Sequence, residues 1–148
     1  MSEPALYPDI VLDHYRNPRN RGALDACTHA ADGANPLCGD RLRVELACSD
    51  GRIQRYGFDG EACALGTAVA SMLGGLVAGL DRAAVAALSE RFHRLVEHGK
   101  VDPALGELNA MAPLQRHAAR RKCAMLPLAA LLAAFDGVAE TTTEAPNR

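Results

Sequence analysis

The sequence predicts an α+β domain with its strands early in the chain and most of its helices late, and three observations carry that prediction. The run RLRVELAC, residues 41–48, alternates, placing Leu42, Val44, Leu46 and Cys48 on one face and Arg41, Arg43 and Glu45 on the other. Asp50-Gly51 then supplies turn chemistry for a tight antiparallel hairpin into RIQRYGF, residues 52–58. From Ala64 onwards the apolar spacing lengthens from two residues to helical spacing, with Leu65, Val69, Met72, Leu76 and Leu80 on one stripe.

The remaining elements follow in chain order. ALYPDIVLDHYR, residues 5–16, reads as a helix with Pro8 in its first turn, where a missing N–H costs little. Its His14 has the place of a structural histidine on a helix face, with a partner surface as the other reading. NPRNRG is a turn, and a short strand is expected near Thr28 to Asp32. Gly57 interrupts the second hairpin strand and reads as a bulge. Asp81 caps a helix bearing Val85, Leu88, Phe92 and Leu95, and Gly99 stops it. A short helix is expected from Pro103 to Met111. A last one carries Leu128, Leu131, Leu132 and Phe135, with Pro127 in its first turn, so that it starts close to Cys123. Residues 1–140 read as one domain, and the polar tail 141–148 as disordered.

Composition removes several classes of function. Sixteen Lys and Arg against eighteen Asp and Glu give a net charge of −2, with no electrostatic ground for nucleic acid or an anionic membrane. MSEPALYPDI lacks the basic and apolar regions of a signal peptide, and no apolar run approaches the ~20 residues that span a bilayer. A cytoplasmic protein is expected. In that compartment five cysteines argue for core residues, ligands or nucleophiles rather than disulfides.

The cysteines divide by position. Cys48 continues the apolar face of its strand and reads as core. Cys27 has no glycine or charged partner at ligand spacing. Cys38, by contrast, precedes a strand between Pro36 and Gly39, with Asp40 two residues on. Cys63 starts the first long helix, where unpaired N–H groups and the dipole favour a thiolate. Cys123 is placed similarly, beside Arg120, Arg121 and Lys122. Three sulfurs and one carboxylate, Cys38, Asp40, Cys63 and Cys123, would complete a tetrahedral zinc shell. With no C-x-x-C knuckle among them, spacing leaves two readings open: one metal site or scattered thiols.

DHYRNPRNRGAL, NPLCGDRLRVEL, GEACALGTAVASM and RRKCAML, in that order, resemble the NifU-like N-terminal domain family, the IscU/SufU group of iron–sulfur cluster assembly proteins. The likeness runs from about Leu6 to Phe135. It implies a three-stranded antiparallel sheet with helices packed on it, and it implies that Cys38, Asp40, Cys63 and Cys123 meet at one end as metal ligands. Within the family the chain looks like the SufU branch. Lys122 stands where cluster scaffolds have histidine, the chaperone-binding Leu-Pro-Pro-Val-Lys segment is absent, and DRAAVAALSERFHRLVEHGK is an added helical stretch. The resemblance then implies a zinc-dependent sulfurtransferase that takes persulfide sulfur from a pyridoxal-phosphate cysteine desulfurase of SufS type. Cys38 would be the acceptor, Arg120 would stabilise a freed thiolate, and downstream iron–sulfur assembly proteins would be further partners. The alternative within the family is a scaffold that builds a [2Fe–2S] cluster on the same ligands. One departure is Ala62, where the family usually has glycine; alanine would strain the loop if φ were positive there.

Overall fold

The computed structural model describes residues 8–144. Its elements are α1 (Asp9–Arg16), β1 (His29–Asn35), β2 (Asp40–Ser49), β3 (Arg52–Glu61), α2 (Ala64–Leu73), α3 (Arg82–His98), a 3-10 helical segment (Pro103–Arg116), α4 (Ala118–Phe135) and β4 (Glu140–Thr142). The sheet has the order β3-β2-β1-β4. β2 pairs antiparallel with both β1 and β3, as the hairpin predicts, whereas β4 runs parallel to β1. Leu42, Val44 and Leu46 of β2 are buried while Arg41 and Arg43 are exposed. Glu45, expected on the exposed face, is buried instead, its carboxylate accepting from Leu24 N–H (2.8 Å) and Arg43 Nε (2.9 Å). The alternation therefore decides which face of the sheet receives the helices.

The sheet has four strands, not three, because the polar tail is used. Asp32 N–H donates to the Ala139 carbonyl (2.8 Å), and Thr143 N–H donates to Ala34 (3.1 Å). β4 thus satisfies the edge of β1, which would otherwise present unpaired backbone groups. The disorder expected from Thr141 does not hold for residues 141–144, and residues 145–148 lie outside the described residues.

Four helix boundaries also differ from expectation. The helix expected from Pro103 to Met111 runs on as a 3-10 segment to Arg116. α1 begins at Asp9 with Pro8 as its N-cap, and residues 5–7 lie outside the described residues. α2 stops at Leu73 rather than reaching Leu80, since Gly74-Gly75 follow and the next backbone groups turn to β3. There Ile53 N–H donates to Leu80 O (2.9 Å) and Gly79 N–H donates to Ile53 O (2.8 Å). α4 starts at Ala118, so Pro127 lies in its interior and Cys123 in its second turn. Pro127 has no N–H to give the carbonyl four residues earlier, which is that of Cys123. The cap and stop of α3 are as expected: Asp81 Oδ1 accepts from Ala84 N–H (2.9 Å), and Gly99 takes φ 72°.

Gly57 is not a bulge; the register shift of the hairpin falls between Ala47 and Cys48. Its glycine is needed for a close approach instead. A Cβ there would stand 2.7 Å from the Gly22 carbonyl, whose loop bonds alongside β3 through Gly22 N–H to Phe58 O (2.8 Å).

α4 packs on β1 and β2, with α2 and α3 against it. The core between them includes Leu42, Val44, Phe58, Leu65, Val69, Phe92, Leu126 and Leu131, all nearly inaccessible. Each such side chain contributes about 1.5–3 kcal/mol by leaving water. His14 is also buried, on the polar side of the α1 seam. Its Nδ1 meets Ser71 Oγ (2.7 Å) and its Nε2 meets Glu107 Oε1 (2.9 Å), tying α1 to α2 and to the 3-10 segment. Among the described residues no helix is long and apolar enough to cross a membrane.

Candidate metal centre

Three separate parts of the fold converge at one end of the β1–β2 ladder. Asn35 pairs with Asp40 on its last rung, leaving Pro36 to Gly39 as the connecting loop. Gly39, at φ 74°, makes that reversal possible without Cβ strain. Cys38 N–H and Gly39 N–H both donate to the Asn35 carbonyl (3.1 and 2.9 Å), which shapes the loop around Cys38. Asp40 then begins β2 on the face shared with Leu42 and Val44, so its carboxylate is turned inward and is 6% exposed.

Cys63 is the N-cap residue of α2, and Asp40 Oδ1 accepts its backbone N–H (3.2 Å). Cys123 reaches the same place from α4. Gly66 lets the two helices close: a Cβ there would lie 3.1 Å from the Cys123 carbonyl oxygen. The ligand atoms of Asp40, Cys63 and Cys123 all fall within 4.8 Å of one another. Cys38 is exposed and stands just outside that trio, with its Sγ accepting from Cys123 Sγ–H at 3.4 Å. All four predicted site residues are thus neighbours, one of them on the solvent side. Ala62 carries no left-handed φ, so alanine introduces no strain before Cys63.

The environments of the thiols differ. Cys63 is drawn down to about 7, chiefly by the Cys123 thiol facing it, with the Gly66 and Leu65 N–H groups assisting against burial. Cys123 is pushed the other way by Cys63, by burial and by Cys38. The expectation that Cys123 gains from a helix N-terminus therefore fails, because α4 has already begun five residues earlier. Cys48 is partly buried, and desolvation raises it, in keeping with a packing role. Cys27 is exposed and apart from the group.

The basic residues beside Cys123 are not equivalent. Arg121 is spent on the end of the 3-10 segment, donating to the carbonyls of Leu114 (3.0 Å) and Gln115. Lys122 is engaged by both oxygens of Glu144 (2.9 and 2.7 Å). Arg120 is exposed, one turn before Cys123, and its guanidinium has no bond or ion pair among the described residues. His117 ends the 3-10 segment and takes no part in the cluster.

The donor set suits a divalent ion that accepts both sulfur and oxygen. A second observation agrees: Asp40 Oδ2 is buried with no hydrogen-bond partner among the described residues, a costly arrangement for a carboxylate unless something cationic meets it. Sequence reasoning missed one residue of this centre. Asn35 is 0% exposed and its Nδ2 points at Cys123 Sγ (3.6 Å). The available signal was its place directly opposite Asp40 once the hairpin loop is counted.

The model of the NifU-like N-terminal domain family matches residues 6–136. The chain belongs to this family. This NifU-like domain is 34% identical over 128 residues to the zinc-dependent sulfurtransferase SufU of Bacillus subtilis, covering 85% of the chain and 86% of that protein. It is 33% identical over 129 residues to the iron–sulfur cluster assembly scaffold protein IscU of Streptococcus pyogenes, covering 85% and 80%. The crystal structure of a nitrogen-fixing NifU-like protein (N-terminal) from Brucella abortus shares the fold, with a TM-score of 0.82 over 90% of this chain and 94% of that one, at 22% identity.

Proposed function

We propose that this NifU-like domain is a zinc-dependent sulfurtransferase of iron–sulfur cluster assembly, working in the cytoplasm with a SufS-like cysteine desulfurase. The observation that carries the reading is the division of the cluster into an inner trio, with Asp40 and Cys123 buried and Cys63 half-buried, and one exposed thiol, Cys38, on a hairpin loop beside it. Cys38, Asp40, Cys63 and Cys123 would hold the zinc ion. When bound, the ion would keep the thiols deprotonated at neutral pH and guard them against oxidation.

The chain's own steps follow from position. The Cys38 thiolate attacks the outer sulfur of the desulfurase persulfide. A new S–S bond forms on Cys38, the old one breaks, and the desulfurase cysteine leaves as a thiolate, with no net oxidation. Asp40, a less tenacious donor than a thiolate, would relax its hold without leaving the ion, which eases the exchange. Arg120, exposed and without an ion pair among the described residues, lies one turn from Cys123 and offers charge to the freed sulfur. The product sulfur then passes to downstream iron–sulfur assembly proteins. Mixing the protein with a cysteine desulfurase and following alanine release tests this reading. Stimulation lost in Cys38→Ser and kept in Cys48→Ser is expected; no stimulation by the parent protein would sink it.

A second reading, a [2Fe–2S] scaffold on the same residues, is supported by the similarity to the Streptococcus pyogenes scaffold protein. The position of Lys122, paired with Glu144 where scaffolds carry histidine, weighs against it. Anaerobic reconstitution separates the two: a coloured cluster that moves intact to an apo-ferredoxin would favour the scaffold.

A further inference from the structure

We propose that Asn35 is a positioning residue of the centre, its Nδ2 holding the Cys123 sulfur so that Cys123 stays in place while Cys38 exchanges. The inference rests on the ligand set proposed above. Asn35 is fixed on every side. Its backbone closes the last rung of the ladder opposite Asp40, and its carbonyl accepts from both Cys38 and Gly39. Pro36 restricts it to extended backbone. Its side chain lies on the inward face of β1 with Ala31 and Gly33, fully buried, and reaches Cys123 Sγ at 3.6 Å.

The other half of the amide makes the case specific. Asn35 Oδ1 is buried and has no hydrogen-bond partner among the described residues. An orphaned buried carbonyl carries an unrepaid desolvation cost, so for stability alone an apolar side chain of similar size would serve better here. What asparagine adds over leucine is an N–H aimed at sulfur. Such a donor gains strength when the sulfur is a thiolate, because the bond is then charge-assisted. Partners of this kind orient ligands and tune the metal. Cys38 has no comparable donor: its sulfur meets only the Cys123 thiol among the described residues, and it is open to solvent. The two sulfurs 3.4 Å apart are therefore unequal by construction, one clamped from a buried strand end and one on the loop.

Cobalt(II) is a suitable probe, since thiolate-to-cobalt charge transfer reads the sulfur directly. The full-length protein is titrated alongside Asn35→Asp, which keeps the shape and removes the donor, and Asn35→Ala. Both variants should bind cobalt about 10- to 100-fold more weakly. Their charge-transfer bands should move to longer wavelength, because sulfur lone pairs lose a stabilising N–H. Bands at the parent position with parent affinity would overturn the role of Asn35 and leave the ligand set standing. A parent protein with no thiolate–cobalt bands would overturn both. Should the variants fail to fold, the parent protein decides by NMR: the Asn35 Nδ2 protons should shift downfield on zinc loading, and an unmoved resonance would overturn the proposal.

Discussion

The thiols of Cys63 and Cys123 lie within 4.8 Å of each other, yet the fold drives their protons in opposite directions. One sulfur sits at the open start of a helix and the other inside one, and each acts on its neighbour. In the metal-free protein Cys63 should hold the first proton to leave. Thiolate absorbance should show one ionisation near pH 7 that disappears in Cys63→Ser, and iodoacetamide should modify Cys63 ahead of Cys123.

The sign of the pH effect follows. Cys63 is lowered from its ordinary 9.0 to about 7, so its contribution to the stability of the metal-free fold is fully present above 9.0 and is lost as pH falls through about 7. Cys123 is raised, so its contribution is present below 9.0 and is lost only at more alkaline pH. Urea denaturation of reduced, zinc-free protein on either side of pH 7 should therefore show greater stability on the alkaline side, with the difference reduced in Cys63→Ser.

Metal content should be one zinc per chain. Replacing Asp40, Cys63 or Cys123 removes a member of the inner trio and should weaken zinc by more than about a hundredfold, beyond what outer partners contribute. Cys38→Ser should retain zinc better than those three, since the trio stays whole. Competition against a chromophoric chelator measures each value.

Arg120→Ala should leave the melting temperature and zinc affinity unchanged, because the side chain is exposed and without a partner among the described residues. Sulfur acceptance should slow by about tenfold, the effect of roughly 1.4 kcal/mol of lost charge stabilisation. Alanine release at saturating desulfurase reports it.

His14→Ala should destabilise the fold by about 2–4 kcal/mol, through the two lost hydrogen bonds and the space left between α1, α2 and the 3-10 segment. Zinc stoichiometry below the melting temperature should not change. Denaturant unfolding and metal analysis separate the two effects.

What could be read in advance had local causes. The alternation over the first half of β2, the Asp50-Gly51 turn, the Asp81 cap and the Gly99 stop each follow from a few adjacent residues, and each is present. The misplaced features depend on distant partners. β4 is a threonine-rich tail with no apolar alternation, and it exists because the β1 edge is there to pair with. Pro127 reads locally as the start of a helix, but packing against the sheet carries α4 through it. At the site, the three cysteines and Asp40 were recognisable from motifs. The proton distribution between Cys63 and Cys123, and the burial of Asn35, arise only when α2 and α4 meet the hairpin end.

The hairpin loop that joins Asn35 to Asp40 also bears on chain entropy. A metal clip between Cys38 and Cys123 would tie together positions 85 residues apart, restricting the unfolded chain much as a disulfide of that span would, by about 4–5 kcal/mol. Asp40, two residues along, closes nearly the same ring with the same partner. Were Cys38 to leave the ion to receive sulfur, as proposed, the long-range tie to Cys123 would therefore persist through Asp40. Only the few residues of the loop would gain freedom, and the proposed acceptor would be released without loosening the domain.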